Sequence, residues 1–136
     1  MSLRLSDTPP RHRKPTALVV EDEPSMQILL RFHLSRAGYD VTVASNGLEG
    51  KALLEERSFD IICSDVMMSG IDGIELCGWA KSQDRIKDIP FVLLSSRAQA
   101  TEKEIGIEAG ADAYLTKPFD VEDLIVILNN LALPDS

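Results

Sequence analysis

Short apolar runs in this sequence repeatedly end on residues able to do chemistry. Ile61-Ile62-Cys63 runs into Ser64-Asp65, and TALVV over Thr16–Val20 stops at Glu21-Asp22-Glu23. The run 89–94, IPFVLL, delivers Ser95-Ser96, and the run 113–115 delivers Thr116-Lys117. Such runs, bounded by polar residues, read as buried strands. A lone carboxylate at a buried strand end is expensive to desolvate unless something pairs with it. Singly, each group has a plain explanation. Asp65 could cap a turn and Ser95 a helix, Glu21-Asp22 could be an acidic first turn, and Lys117 a solvated lysine before Pro118. At consecutive strand ends of one sheet they would gather at one edge, which is where ligands bind in parallel α/β sheets.

That gathering has a definite chemistry. Glu21, Asp22 and Asp65 repel one another unless a cation or protons compensate. Oxygen-only ligands favour a hard divalent ion, and Mg²⁺ uses few carboxylates and keeps several waters. No His or Cys stands at zinc spacing, and His33 reads as a packed or edge histidine. A divalent ion, the Lys117 ammonium and the Ser95 hydroxyl around a carboxylate suit a phosphoryl group. The cations neutralise the transferring oxygens while a carboxylate oxygen attacks in line.

The elements that must position these groups alternate strand and helix. After Thr16–Val20, Pro24 sits at a first helical position, and Met26, Leu29, Leu30, Leu34 and Ala37 form a helical stripe that stops at Gly38. Residues 39–44 alternate as a strand, and Asn46-Gly47 turns into a short helix over 48–57. The strand ending at Asp65 follows, then a helix after Gly73 with Leu76, Cys77 and Ala80 on one face and Trp79 about 100° away. After the strand 89–94 come a short helix over 101–109, the strand 113–115, and a last helix over 121–131. That helix is capped by Asp120, with Val121, Leu124, Ile125 and Leu128 inward. Val126 and Ile127 fall off the inner stripe and suggest a partner or dimer surface. Five strands alternating with five helices predict an α/β fold: a doubly wound five-stranded parallel sheet of order 2-1-3-4-5 between two helical layers.

Composition agrees. The 136 residues are 44% hydrophobic and 26% charged, as in an ordinary globular domain. Residues 1–15, with three prolines and a charge of +3, read as a disordered basic lead-in. Residues 16–132 form the domain, and 133–136 a tail. The formal charge of −8 leaves −11 for residues 16–136, which argues against direct nucleic-acid binding. There is no signal-peptide pattern and no apolar run of membrane-spanning length, so a cytoplasmic protein with no membrane contact is expected. Cys63 and Cys77 read as small buried hydrophobes in a reducing compartment.

Four blocks together resemble the receiver (CheY-like) domain of two-component response regulators: VVEDEP at 19–24, SDVMMSGIDG at 64–73, PFVLLSS at 90–96 and GADAYLTKPF at 110–119. The resemblance spans about residues 16–131. It implies that Asp65 is the phosphoacceptor and that Asp22, Asp65 and the Met67 carbonyl bind Mg²⁺, with Glu21 acting directly or through water. It also implies that Ser95 and Lys117 hold the phosphoryl group, that Tyr114 is a switch aromatic following Ser95, and that Lys117-Pro118 is cis. The implied partners are a sensor histidine kinase or histidine phosphotransfer protein and a downstream effector protein. The implied output face is formed by the 101–109 helix, the last strand and the last helix, and a homodimer is possible there. The protein would not be an enzyme beyond its own aspartyl phosphorylation and dephosphorylation. Glu21 stands where the family more often has Asp, Ser69 where proline is usual, and Ser96 where alanine or glycine is common.

The rivals are weaker. A pseudo-receiver acting only as a protein-binding module would not need Asp22, Asp65, Ser95 and Lys117. A haloacid-dehalogenase-type phosphatase generally has a second acid where Met67 stands. A flavodoxin-like carrier would place a flavin phosphate against Glu21-Asp22-Glu23.

Overall fold

The computed structural model describes residues 14–96, 107 and 109–133. Five strands, β1 (Thr16–Val20), β2 (Asp40–Ala44), β3 (Ile61–Asp65), β4 (Phe91–Ser95) and β5 (Ala113–Thr116), form one parallel sheet of order β2-β1-β3-β4-β5. Four helices are described: α1 (Pro24–Arg36), α2 (Gly47–Glu56), α3 (Gly73–Lys81) and α4 (Val121–Ala132). The doubly wound α/β fold is therefore the one the alternation predicts. The helix expected over 101–109 falls outside the described residues, apart from Ile107 and Ala109.

Side chains alternate across each strand, so each strand feeds two cores. Leu18, Val20, Ile62 and Leu93 pack with Leu54 of α2 and with Leu76 and Ala80 of α3. On the other face, Val19, Ile61, Val92 and Leu94 pack with Leu30 and Leu34 of α1 and with Leu124 and Leu128 of α4. Every residue of β3 and β4 is buried, which explains why Ile61–Cys63 and Phe91–Leu94 are continuous apolar runs that do not alternate. Each fully buried Leu or Ile contributes roughly 1.5–3 kcal/mol. Cys63 and Cys77 are buried and free, and burial pushes both thiols up to about 12.

Several local expectations shift. Leu29 is 39% exposed, because it lies ~100° round the helix from Leu30 and further still from Leu34. Ile127 is half-buried against the core on the flank of the Leu124–Leu128 line, and only Val126, 56% exposed, projects fully outward. Asp120 holds the N-cap position of α4, but its side chain makes no cap hydrogen bond; its carbonyl accepts from the Asp123 and Leu124 amides instead. β4 begins at Phe91, two residues later than expected, since Pro90 has no N–H to give the ladder. Trp79 is half-buried, with the Lys51 ammonium 5.0 Å from its ring centre. His33 is half-buried and meets the Phe32 ring edge-on.

The end of the sheet away from the strand C-termini is closed by a polar knot. Lys81 Nζ donates to Asp112 Oδ2 at 2.9 Å, to the Ile89 carbonyl at 3.0 Å and to the Lys87 carbonyl at 3.2 Å. The buried Phe91 N–H donates to the same Asp112 oxygen at 2.7 Å. The knot ties the end of α3 to the starts of β4 and β5. Asp112→Ala leaves the Phe91 donor unpaired, so it is expected to lower the unfolding free energy by about 2 kcal/mol. Urea melts check this: the midpoint falls while the slope stays the same.

Candidate functional site

Strand register decides what meets at the C-terminal edge. Val20 pairs with Ala44 and Ser64, Asp65 with Leu94, and Ser95 with Thr116. The residues just past or at the ends of β1, β3, β4 and β5 therefore lie side by side. Glu21, Asp22 and Asp65 each place a carboxylate oxygen within 4.8 Å of the others. Lys117 Nζ reaches Asp65 Oδ1 at 3.2 Å and Glu21 Oε1 at 3.5 Å. The Lys117 amide donates to the Ser95 carbonyl at 2.6 Å, which fixes the start of the β5–α4 connection against β4. The Lys117-Pro118 bond is cis.

The acidic groups differ in exposure. Glu21 is 1% exposed and Asp65 7% exposed, while Asp22 is open to solvent. Glu21 Oε2 accepts from the Glu23 N–H at 3.0 Å, which folds its side chain back towards its own loop. Glu21 Oε1 is buried and has no hydrogen-bond partner; the 3.5 Å contact with Lys117 is an ion pair too long to be a good hydrogen bond. Among the described residues three carboxylates face a single ammonium, so the fully ionised cluster of these groups carries two uncompensated negative charges. Burial is the main reason that Asp65 holds its proton above the usual carboxylate range. Asp22 adds to that, and Lys117 opposes it. Burial likewise raises Glu21, reinforced by Asp65 and Asp22 and opposed by the Glu23 amide and Lys117. For Lys117, burial favours the neutral amine, but Asp65 and Glu21 outweigh it and hold the ammonium above its ordinary value.

An orphaned buried oxygen, an exposed second carboxylate and a third at a strand end make an all-oxygen donor set with excess negative charge. Those donors fit a hard divalent cation, and no sulfur or imidazole stands among them.

The remaining predicted positions are placed as follows. Ser95 is fully buried, its hydroxyl donating to the Ser96 carbonyl at 3.2 Å. Tyr114 pairs with Leu93 in the sheet and packs against the core on the α2 and α3 side. Met67 is 62% exposed in the β3–α3 loop, while Met68 is buried in the core. Two contributors are not among the predicted site residues. Gly73 brings the first turn of α3 against the end of β3; a Cβ there would lie 2.1 Å from the Asp65 carbonyl oxygen. Gln27 donates from its side chain to the Glu21 carbonyl at 2.6 Å, although its place on α1 looks like any polar surface position. The Asp72–Glu75 capping box fixes where α3 begins.

Comparison with known proteins gives the family. The response regulator receiver domain family matches residues 17–129, and the chain belongs to that family. It is 39% identical over 111 residues to the DNA-binding dual master transcriptional regulator RpaA of Synechocystis sp., covering 82% of this chain and 46% of that protein. The chain spans about half the length of the curated relatives it matches. Among solved structures, the chemotaxis response regulator CheY4 of Vibrio cholerae superposes with a TM-score of 0.81 at 31% identity, covering 87% of this chain and 98% of that one. The receiver domain of sensor histidine kinase PA1611 from Pseudomonas aeruginosa, which has a magnesium ion coordinated in its active site cleft, gives a TM-score of 0.81 at 28% identity. That match covers 88% of this chain and 98% of the kinase receiver. The chain is thus a response regulator receiver domain of two-component signalling.

The electrostatics make a signed prediction. An acid whose folded pKa is raised destabilises the fold while it is ionised. The penalty is present above the folded pKa and is relieved as pH falls through it towards the unfolded value. Asp65→Asn removes the buried charge while Lys117 keeps Glu21. In buffer with chelator at neutral pH the variant should melt about 3–5 °C higher, equivalent to ~1 kcal/mol for a domain of this size. Melting curves across pH check the sign: the gain shrinks as pH is lowered into the carboxylate range.

Proposed function

We propose that this receiver domain accepts a phosphoryl group on Asp65 from a phosphohistidine, carried by a sensor histidine kinase or a histidine phosphotransfer protein. The observation that carries the proposal is the Lys117 ammonium 3.2 Å from Asp65 Oδ1 inside a three-carboxylate cluster. An Asp65 carboxylate oxygen forms the new P–O bond as the donor P–N bond breaks, and the leaving imidazole nitrogen retains the electron pair and takes a proton. Lys117 pairs with an oxygen of the transferred group, and Ser95 turns its hydroxyl from the Ser96 carbonyl to another. Glu21, Asp22, Asp65 and the Met67 carbonyl would hold Mg²⁺, which supplies positive charge to the phosphoryl oxygens when bound. Glu21 Oε1, buried and without a hydrogen-bond partner, supports Glu21 as a member of that set.

The phosphorylated state gains charge of about −2 and strong acceptor oxygens. Ser95 is drawn towards them and Tyr114, on the neighbouring strand, follows. The output face then includes β5 and α4, where exposed Val126 offers an apolar contact for a downstream effector or for a second copy. The acidic charge of residues 16–136 supports protein partners over direct nucleic-acid contact by this domain. Among the described residues no helix is long and apolar enough to cross a membrane.

Incubation with acetyl phosphate and MgCl₂, followed by intact-mass measurement, tests the proposal. The wild-type chain should gain one phosphoryl group, Asp65→Asn none, and chelation should abolish the gain. Lys117→Ala should slow uptake by at least about 100-fold, as expected when a preorganised charge on the transferring group is removed. An unchanged wild-type mass would instead favour a binding module that never accepts phosphate.

A further inference from the structure

The Asp22 carboxylate accepts no hydrogen bond from the described residues, yet it stands within 4.8 Å of two like charges. Something other than its own side-chain contacts must hold it there. Among the described residues its backbone is the handle, and that backbone is held from α1. The Gln27 side-chain amide has two hydrogens. It donates to the Glu21 carbonyl at 2.6 Å and to Ser45 Oγ at 3.3 Å. The Glu21–Asp22 peptide is planar and trans, so the direction of the Glu21 carbonyl sets the direction of the Asp22 N–H and the position of the Asp22 Cα that carries the side chain. The Glu21 N–H is pinned on its other side, donating to the Ala44 carbonyl at 2.9 Å. Gln27 itself is rooted where its N–H donates to the Glu23 carbonyl at 3.0 Å. Ser45 is tied in turn to α2, its N–H donating to the Glu49 carboxylate. The loop after β1 and the turn after β2 are thereby clamped together through one side chain.

We propose that Gln27 is a positioning residue for the cation site: its amide holds the Glu21–Asp22 peptide so that the Asp22 carboxylate stays beside Asp65 against charge repulsion before any cation arrives. The assignment rests on the reading of the acidic cluster as a Mg²⁺ site. Without the Gln27 bond, the peptide is free to turn and repulsion drives Asp22 outward. Cation binding must then draw it back, which weakens affinity without altering Asp65, Ser95 or Lys117.

The test compares Gln27→Ala and the similarly sized Gln27→Met with wild type. MgCl₂ binding is read by calorimetry, and melting is followed in chelator. Both variants should bind Mg²⁺ about tenfold more weakly, the low end for loss of a partner that orients a metal ligand. The Mg²⁺ concentration that half-saturates phosphorylation by acetyl phosphate should rise by the same factor, with the plateau rate within about twofold of wild type. A purely structural role would lower the metal-free melting temperature and leave Mg²⁺ affinity unchanged. Wild-type protein that binds Mg²⁺ while both variants bind it equally well overturns the assignment alone. Wild-type protein that takes up no Mg²⁺ overturns the reading of the cluster, and the assignment with it.

Discussion

Negative charge held in place against its own repulsion is the constraint on which the site depends. Glu21 and Asp65 are almost wholly buried, Asp22 stands beside them, and among the described residues Lys117 is the one ammonium in contact with the group. Burial favours the neutral acids, and the lysine only partly offsets that. A protein with nothing to bind at this place would be more stable with neutral residues there, because an imperfectly paired buried charge costs more than it returns. The fold tolerates the arrangement because the rest of the sheet is apolar and fully packed. Two cores, one on each face, supply the stability that the acidic edge gives up.

The surrounding structure serves that edge in different ways. The parallel sheet aligns strand ends, so the distance between Asp65 and Lys117 follows from register across β3, β4 and β5. The loops then refine it. Glu23 turns the Glu21 carboxylate through a backbone amide, and Gly73 lets α3 approach the Asp65 carbonyl to a distance no side chain permits. The opposite edge carries ordinary structural polarity. Lys81 and Asp112 there pair with each other and with the backbone. The contrast between a satisfied knot at one end and an unsatisfied cluster at the other is what separates a stabilising polar network from a site built to receive something.

Much of this was legible from the chain alone where strong periodic or terminal signals exist. β1 and the start of α1 at Pro24 fall where the pattern puts them, because a buried β-branched run and a proline at a first helical position are nearly unambiguous. The buried face of α3 at Leu76, Cys77 and Ala80 was also visible. Failures came at flanks. Leu29 and Ile127 sit at the borders of their helical stripes, where a few tens of degrees decide burial and the neighbouring element is needed to know which way they fall. Asp120 has the right residue type for a side-chain cap, but the chain direction leaving Pro118 and Phe119 leaves the helix amides to its backbone carbonyl.

By itself, the sequence determined which groups reach the ligand edge: Glu21, Asp22, Asp65, Ser95 and Lys117 each follow a buried run, and right-handed β-α-β connections bring such ends to the same side. It also determined the family, through four motifs in fixed order. Only the tertiary structure decided that Glu21 is buried with one oxygen lacking a hydrogen bond, that Asp22 is not buried, and that Gln27 and Gly73 belong to the site. These are matters of ångströms between elements distant in sequence. Periodicity reports which face a residue is on. It does not report which carbonyl lies opposite it.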